Sequence, residues 1–176
     1  MLEVGSKNHG EAPGFRALYP GIPYTGVDMQ AGENVDVVLD LTLAPPPDVL
    51  APESFSLIIC CAVLEHVDRP WLMAEQLTRL MRPGGSLFVA VPWVHAYHPY
   101  PDDYYRFSWK GVMALFPDLA WKNVLYSSNV PGEFFEISEA NPHADQALSM
   151  FNADGENARK YLPYLMVNMI GVKAGG

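Results

Sequence analysis

An α/β domain built on a mostly parallel, seven-stranded sheet is what this sequence of 176 residues predicts, on three observations. Short β-rich apolar segments recur with helical or loop stretches between them, the pattern of an alternating domain. A helix-spaced apolar stretch over 71–81 stops at Arg82-Pro83-Gly84-Gly85 and is followed at once by a buried apolar run. Carboxylates end successive strand-like segments, where open α/β sheets bind their ligands.

The first strand is the stub 1–4, followed by a polar, glycine-containing turn and a weak helix over 11–19. Strands over 24–28 and 36–39 each end at or beside a carboxylate, Asp28 and Asp40. Pro45-Pro46-Pro47 cannot be helix interior or central strand and marks a surface loop. Residues 56–61 read as a buried strand. Trp71, Leu72, Leu77, Leu80 and Met81 recur at helical spacing and are expected to form the core face of a helix. A strand over 86–91 follows, then a helix over 109–116 with Ser108 as its N-cap, since a serine oxygen accepts from the free amides of the first turn. Strands over 121–127 and 165–172 complete the sheet, with a short helix over 143–151 expected in the long connection between them. His143 reads as a surface residue.

Composition limits the function. The length and the 49% hydrophobic content suit one domain over 1–176 with one sizeable core. Twenty acidic against eleven basic residues, net charge −9, disfavour a nucleic-acid partner. The longest apolar run, 57–64, is too short to cross a bilayer, and the opening residues lack a signal-peptide apolar region, so the expectation is a cytoplasmic protein with no membrane partner. Cys60 and Cys61 are adjacent in a strand and point to opposite faces, which disfavours a disulfide or a metal site there.

Asp28 follows Gly5 by a little over twenty residues, the placement of a carboxylate that accepts both hydroxyls of an adenosine ribose. Asp40 would then lie beside an adenine amine and Glu3 near a cationic ligand end. The bland alternative is that both aspartates merely begin turns. The stretch Gly5-Ser6-Lys7-Asn8-His9-Gly10 retains the outer glycines of a nicotinamide-binding fingerprint but not the middle one, and nothing else suggests hydride chemistry.

Two segments carry a resemblance. Leu64-Glu65-His66-Val67-Asp68-Arg69-Pro70 and Leu80-Met81-Arg82-Pro83-Gly84-Gly85, the latter running into the strand Ser86 through Pro92, look like the fourth- and fifth-strand motifs of class I S-adenosylmethionine-dependent methyltransferases. With Glu3-Val4-Gly5-Ser6 and Tyr24-Thr25-Gly26-Val27-Asp28, the resemblance covers most of the chain to about residue 116. It implies a Rossmann-like three-layer sandwich with an antiparallel last strand, and S-adenosyl-L-methionine as cofactor. It assigns Glu3, Gly5 and Ser6 to the methionine end, Asp28 and Met29 to ribose and adenine, and Asp40 with Leu41 to adenine. Cys60, Ala62 and Glu65 would line the cofactor from the fourth strand. Lys7 and His9 occupy positions where the family carries glycine, so larger side chains are expected to push the first loop outward. The chain begins at the first strand, without the helices that commonly cover the family's pocket, so a partner, another loop or a more open site is expected. A methyltransferase-like binding module without catalysis is the alternative, and it predicts a pocket blocked by residues 7–9.

The segment 93–108 is dense in aromatic and titratable groups and resembles one found in a methyltransferase subgroup associated with sugar or surface-polysaccharide products. The implied reaction is O-methylation of a small polar metabolite or sugar. Positioning supplies most of such a displacement, and a hydroxyl acceptor gains from a nearby base. His66, His95 and His98 are the candidate bases, with Asp102 or Asp103 orienting, and His66, His95 and Asp102 are the leading catalytic set; His98, Tyr104 and Arg106 are the candidate substrate contacts. Against each histidine stands the reading of a capped surface lid. No metal is expected, because His95 and His98 are separated from the aspartates by prolines and lack a helical i, i+4 face. The expected partner is a small-molecule substrate, with a homodimer left open.

Overall fold

The structure, a computed structural model, describes residues 1–9, 14–128, 130–138, 140–141 and 164–175. Its elements in chain order are β1 (Leu2–Val4), α1 (Phe15–Leu18), β2 (Thr25–Asp28), β3 (Val37–Val38), β4 (Phe55–Cys61), a 3₁₀ turn (Leu64–His66), α2 (Pro70–Leu80), β5 (Met81–Val94), α3 (Trp109–Leu115), β6 (Leu119–Ser127), β7 (Phe134–Glu136) and β8 (Leu165–Lys173). The strands form one sheet in the order β3-β2-β1-β4-β5-β8-β6-β7.

β1 pairs in parallel with β2, Leu2 opposite Thr25, and with β4, Leu2 opposite Ile58. The strand order therefore reverses at β1, and the crevice beyond the carboxyl ends of β1, β2 and β4 is where such a sheet opens to a ligand. β5 continues the parallel run beside β4. β8 then inserts antiparallel to both β5 and β6, which makes the domain Rossmann-like with a reversed strand between its fifth and sixth.

Among the described residues the sheet holds eight strands, not the seven expected. The extra one, β7, is a three-residue edge strand antiparallel to β6, with Leu125 opposite Glu136. Phe134-Phe135-Glu136 is too short to register as a periodic segment and falls within the connection expected before the last strand. The helix expected over 143–151, and His143 with it, lie outside the described residues. Of the helix expected over 11–19, Phe15–Leu18 is helical and buries no residue.

Helix α2 packs through Met73, Ala74, Leu77 and Leu80, recurring at i, i+3/i+4 and i+7. Trp71 is not part of that face: it is 53% exposed. Nine residues at about 100° each place it on the opposite side of the helix from Leu80, so helical phase overrides tryptophan's hydrophobicity here. Pro70 opens α2 at the first turn, where its missing amide hydrogen costs nothing. Strand β5 begins at Met81, opposite Phe55, and the register then slips so that Ser86 faces Leu57; residues 82–85 bulge out, with Gly84 at φ +71°. Ser108 caps α3 as the sequence predicts, its Oγ accepting from the Gly111 amide at 3.1 Å. No described helix is long and apolar enough to cross a membrane.

Candidate active site

The first loop is shaped by Gly5. It turns out of β1 at φ +68°, its amide donates to the Val27 carbonyl at 2.9 Å, and a Cβ there would stand 2.5 Å from Val63 Cγ2. Only glycine meets both demands. Lys7 and His9 do not fill the crevice. The Lys7 amide donates to Asp28 Oδ2 at 3.2 Å and its ammonium to Gln30 Oε1 at 2.9 Å, so the side chain runs along the tip of β2. The His9 ring stands edge-on to Tyr100, centroids 4.4 Å apart, at the rim. What remains is a cavity of about 570 Å³, of the size that holds a cofactor-sized ligand.

Six of the ten residues assigned to the cofactor by sequence line this cavity: Gly5, Asp28, Met29, Asp40, Leu41 and Ala62. Asp28 accepts from Gln30 N through Oδ1 and from Lys7 N through Oδ2, which leaves lone pairs on both oxygens for a diol. Asp40 accepts both the amide and the hydroxyl of Thr42 through Oδ1. Ala62 takes φ +52° just past β4, a costly conformation for an alanine. The other four are not on the wall. Glu3 is 7% exposed; burial raises its carboxyl pKa, while a hydrogen bond from the Tyr24 hydroxyl opposes the shift. Ser6 is buried, and its hydroxyl has no hydrogen-bond partner among the described residues. Cys60 and Glu65 are buried as well.

The opposite wall comes from the 3₁₀ turn and from residues 98–104. Tyr104 and Tyr105 donate their amides to the Glu65 carbonyl at 2.8 and 3.2 Å, the Tyr105 hydroxyl donates to the Asp68 carbonyl at 2.9 Å, and Phe107 N donates to Pro92 O at 2.9 Å. These bonds strap the segment over the carboxyl end of β4. Within it Arg106 grips Asp103 through two nitrogens, at 2.5 and 2.7 Å, and donates to the carbonyls of His95, Ala96 and Tyr105. The Arg106 guanidinium holds the Asp103 carboxyl well below the usual carboxylate range.

Of the residues predicted on the acceptor side, His66, Asp102, His98 and Tyr104 line the cavity, whereas His95 and Arg106 do not. Arg106 is occupied inside the strap, and the His95 ring packs on His98, centroids 4.1 Å apart. Each of the three histidines directs Nδ1 at a backbone carbonyl: His66 at Asp102 (2.6 Å), His95 at Ala96 (2.7 Å) and His98 at Ala96 (3.0 Å). A carbonyl can only accept, so Nδ1 carries the proton in all three. Glu65, between β4 and the strap, is 1% exposed; burial raises its carboxyl to about 7, and neither of its oxygens has a hydrogen-bond partner among the described residues.

Residues 21–89 match the Methyltransf_11 family, described as a methyltransferase domain. The chain is 32% identical over 137 residues to the human thiol S-methyltransferase TMT1B, which covers 70% of this chain and 51% of that protein. These matches support a class I S-adenosylmethionine-dependent methyltransferase. The chain spans about half the length of that human relative. In fold the chain is similar to the YcgJ protein of Bacillus subtilis, with TM-score 0.62 and 16% identity over 99% of this chain and 92% of that one. It is similar also to the 1,6-didemethyltoxoflavin-N1-methyltransferase of Burkholderia thailandensis, solved with its substrate and S-adenosylhomocysteine, with TM-score 0.59 and 16% identity over 98% and 70% of the two chains.

The cofactor of this family is S-adenosylmethionine, and the crevice suits it on three counts: glycine where a Cβ would collide, unused acceptor capacity on both Asp28 oxygens, and adequate volume. The pocket blocked by residues 7–9, which the binding-module alternative requires, is not what the first loop forms. His9 and Tyr100 are wall residues the sequence reading did not assign. Tyr100 sits in the aromatic segment already singled out, but nothing in the sequence brings His9 to it, because their contact joins two loops about ninety residues apart.

Proposed function

We propose that this methyltransferase transfers a methyl group to an oxygen or sulfur atom of a small polar acceptor, sugars and other hydroxyl metabolites on one side and thiols on the other. The observation that carries this reading is the division of the cavity. One wall offers Gly5, Asp28, Met29, Asp40, Leu41 and Ala62, and the facing wall offers His66, His98, Asp102 and Tyr104. The bound cofactor supplies an electrophilic methyl on a sulfonium.

The protein's part is to hold and orient. Asp28 accepts the ribose hydroxyls, Met29, Asp40 and Leu41 flank the adenine, and Gly5 and Ala62 let the backbone approach the methionine end, with Glu3 and Ser6 behind them. Cys60 and Glu65 support the wall from β4 and the turn. His66, with Asp102 fixing its tautomer, faces the acceptor; His98 and Tyr104 contact it. His95 and Arg106 act as positioning residues, through ring packing on His98 and through the strap. Thiols enter because the human relative is named a thiol S-methyltransferase. Alignment of acceptor and methyl in one cavity supplies the largest share of rate in such a displacement.

The test is incubation with S-adenosylmethionine and a panel of small thiols and hydroxyl compounds, read as S-adenosylhomocysteine released and product mass gained. Acceptor-dependent release that falls in Tyr104→Ala and His66→Ala supports the reading. Release with no panel member, despite cofactor binding, contradicts it.

A further inference from the structure

We infer that Glu65, His66 and His98 form a binding site for a divalent transition-metal ion of the zinc class, at the acceptor edge of the cavity. One oxygen of Glu65 and one ring nitrogen from each histidine all lie within 4.8 Å of one another. The three residues come from two separate segments, the 3₁₀ turn after β4 and the strap after β5, and the strap's hydrogen bonds to the Glu65 carbonyl bring them together.

The Glu65 side chain gives the first independent sign of a ligand. It is 1% exposed, and among the described residues neither carboxylate oxygen accepts a hydrogen bond. Burying a carboxylate without hydrogen-bond partners is unfavourable, and a bound cation would offset that cost. His66 Nε2 stands 3.8 Å from Glu65 Oε1, too long for a hydrogen bond. Two donors bound to one tetrahedral ion stand roughly 3.4 Å apart, given ion–ligand distances near 2.1 Å. The 3.8 Å separation needs only a small contraction to reach that.

The imidazoles give the second. His66 donates Nδ1–H to the Asp102 carbonyl, and His98 donates Nδ1–H to the Ala96 carbonyl at 3.0 Å with Asp103 Oδ2 at 3.3 Å. A ring nitrogen that donates to a carbonyl or carboxylate fixes the tautomer and leaves the Nε2 lone pair for a metal, the usual arrangement around metal-bound histidines. Two imidazoles and one carboxylate are a donor set for zinc or ferrous iron, with a further coordination position left open. His66 and His98 line the cavity, so that position faces the acceptor.

Resting on the methyl-transfer reading, the ion has a use. A thiol or hydroxyl bound to it gives its proton to water and keeps the lone pair that forms the bond to the methyl carbon, whose bond to sulfonium sulfur breaks with both electrons passing to sulfur.

The experiment uses the full chain, treated with a chelator, desalted and titrated with Co²⁺ alone, the visible d–d bands reporting inner-sphere binding. Saturable binding of one equivalent is expected, weakened at least ~10-fold in both His98→Ala and Glu65→Gln and retained in His9→Ala, since loss of even a supporting partner costs about that much. A wild-type protein without a saturable cobalt spectrum, or a spectrum unchanged in both variants, overturns the site. Thermal unfolding of Glu65→Gln and S-adenosylhomocysteine calorimetry on His98→Ala establish that these variants fold. Cobalt failure with intact S-adenosylhomocysteine binding refutes the metal site and leaves the methyltransferase reading standing; the converse result does the opposite.

Discussion

His66 donates its Nδ1 proton to the backbone carbonyl of Asp102 across 2.6 Å, joining the turn after β4 to the strap after β5. The two segments are 36 residues apart, and this bond fixes one imidazole tautomer at the place where the cavity's two walls meet. A site assembled this way depends on the strap's own rigidity.

That rigidity rests on Asp103 and Arg106. The Asp103 side chain is 1% exposed and held by two nitrogens of Arg106. Removing one partner of such a pair leaves the other charge uncompensated, so Arg106→Ala is expected to lower unfolding stability by about 2–4 kcal/mol in a urea titration. Arg106→Lys should recover only part of it, because an ammonium cannot reproduce the fork. A loss below about 0.5 kcal/mol, the range of ordinary surface changes, contradicts this role.

The first loop predicts a contrast between two glycines. Gly5 and Gly84 both have positive φ, but a Cβ at Gly5 strikes Val63 and one at Gly84 meets nothing within 4 Å. Gly84→Ala should cost only the backbone term, about 1 kcal/mol. Gly5→Ala should cost more than that and also weaken S-adenosylhomocysteine binding, by calorimetry beside thermal unfolding. Equal effects on both measurements would show that the collision with Val63 does not matter.

The two sides of α2 differ sharply. Trp71→Ala is expected to change stability by less than about 0.5 kcal/mol, whereas Leu77→Ala, at a fully buried position, should cost about 2–5 kcal/mol. Chemical denaturation of both variants reads this directly, and a reversed order would place the core on the other face.

The cysteines should be inert in the native state. Burial raises Cys61 to about 11 and Cys60 well above its ordinary value, so little thiolate exists near neutrality. A thiol-specific chromogenic reagent at about pH 8 should react slowly with native protein and completely with unfolded protein. Rapid native labelling would contradict it.

The sheet was legible in the sequence because buried parallel strands read as continuous apolar runs and their ends are marked by Gly5, Asp28, Asp40 and the Pro83-Gly84-Gly85 stop. That Asp28 and Asp40 line the cavity could be anticipated because a strand tip has a fixed place relative to the crevice in this architecture. β7 was missed because three residues carry no period, and Trp71 was misplaced because hydrophobicity outweighed helical phase. The metal-ligating trio was not legible. Glu65 and His66 meet His98 from another segment through a chain crossing made of backbone hydrogen bonds, which no spacing within one segment signals.

The central claim is that the crevice at the tips of β1, β2 and β4 binds the cofactor through Asp28, and calorimetry with S-adenosylhomocysteine on wild type and Asp28→Ala tests it most directly. Hydrogen bonds to a charged group contribute about 1.5–3 kcal/mol each, so saturable wild-type binding should weaken by roughly 10-fold or more in the variant. Absence of wild-type binding at millimolar ligand, or an affinity unchanged by Asp28→Ala, would contradict it.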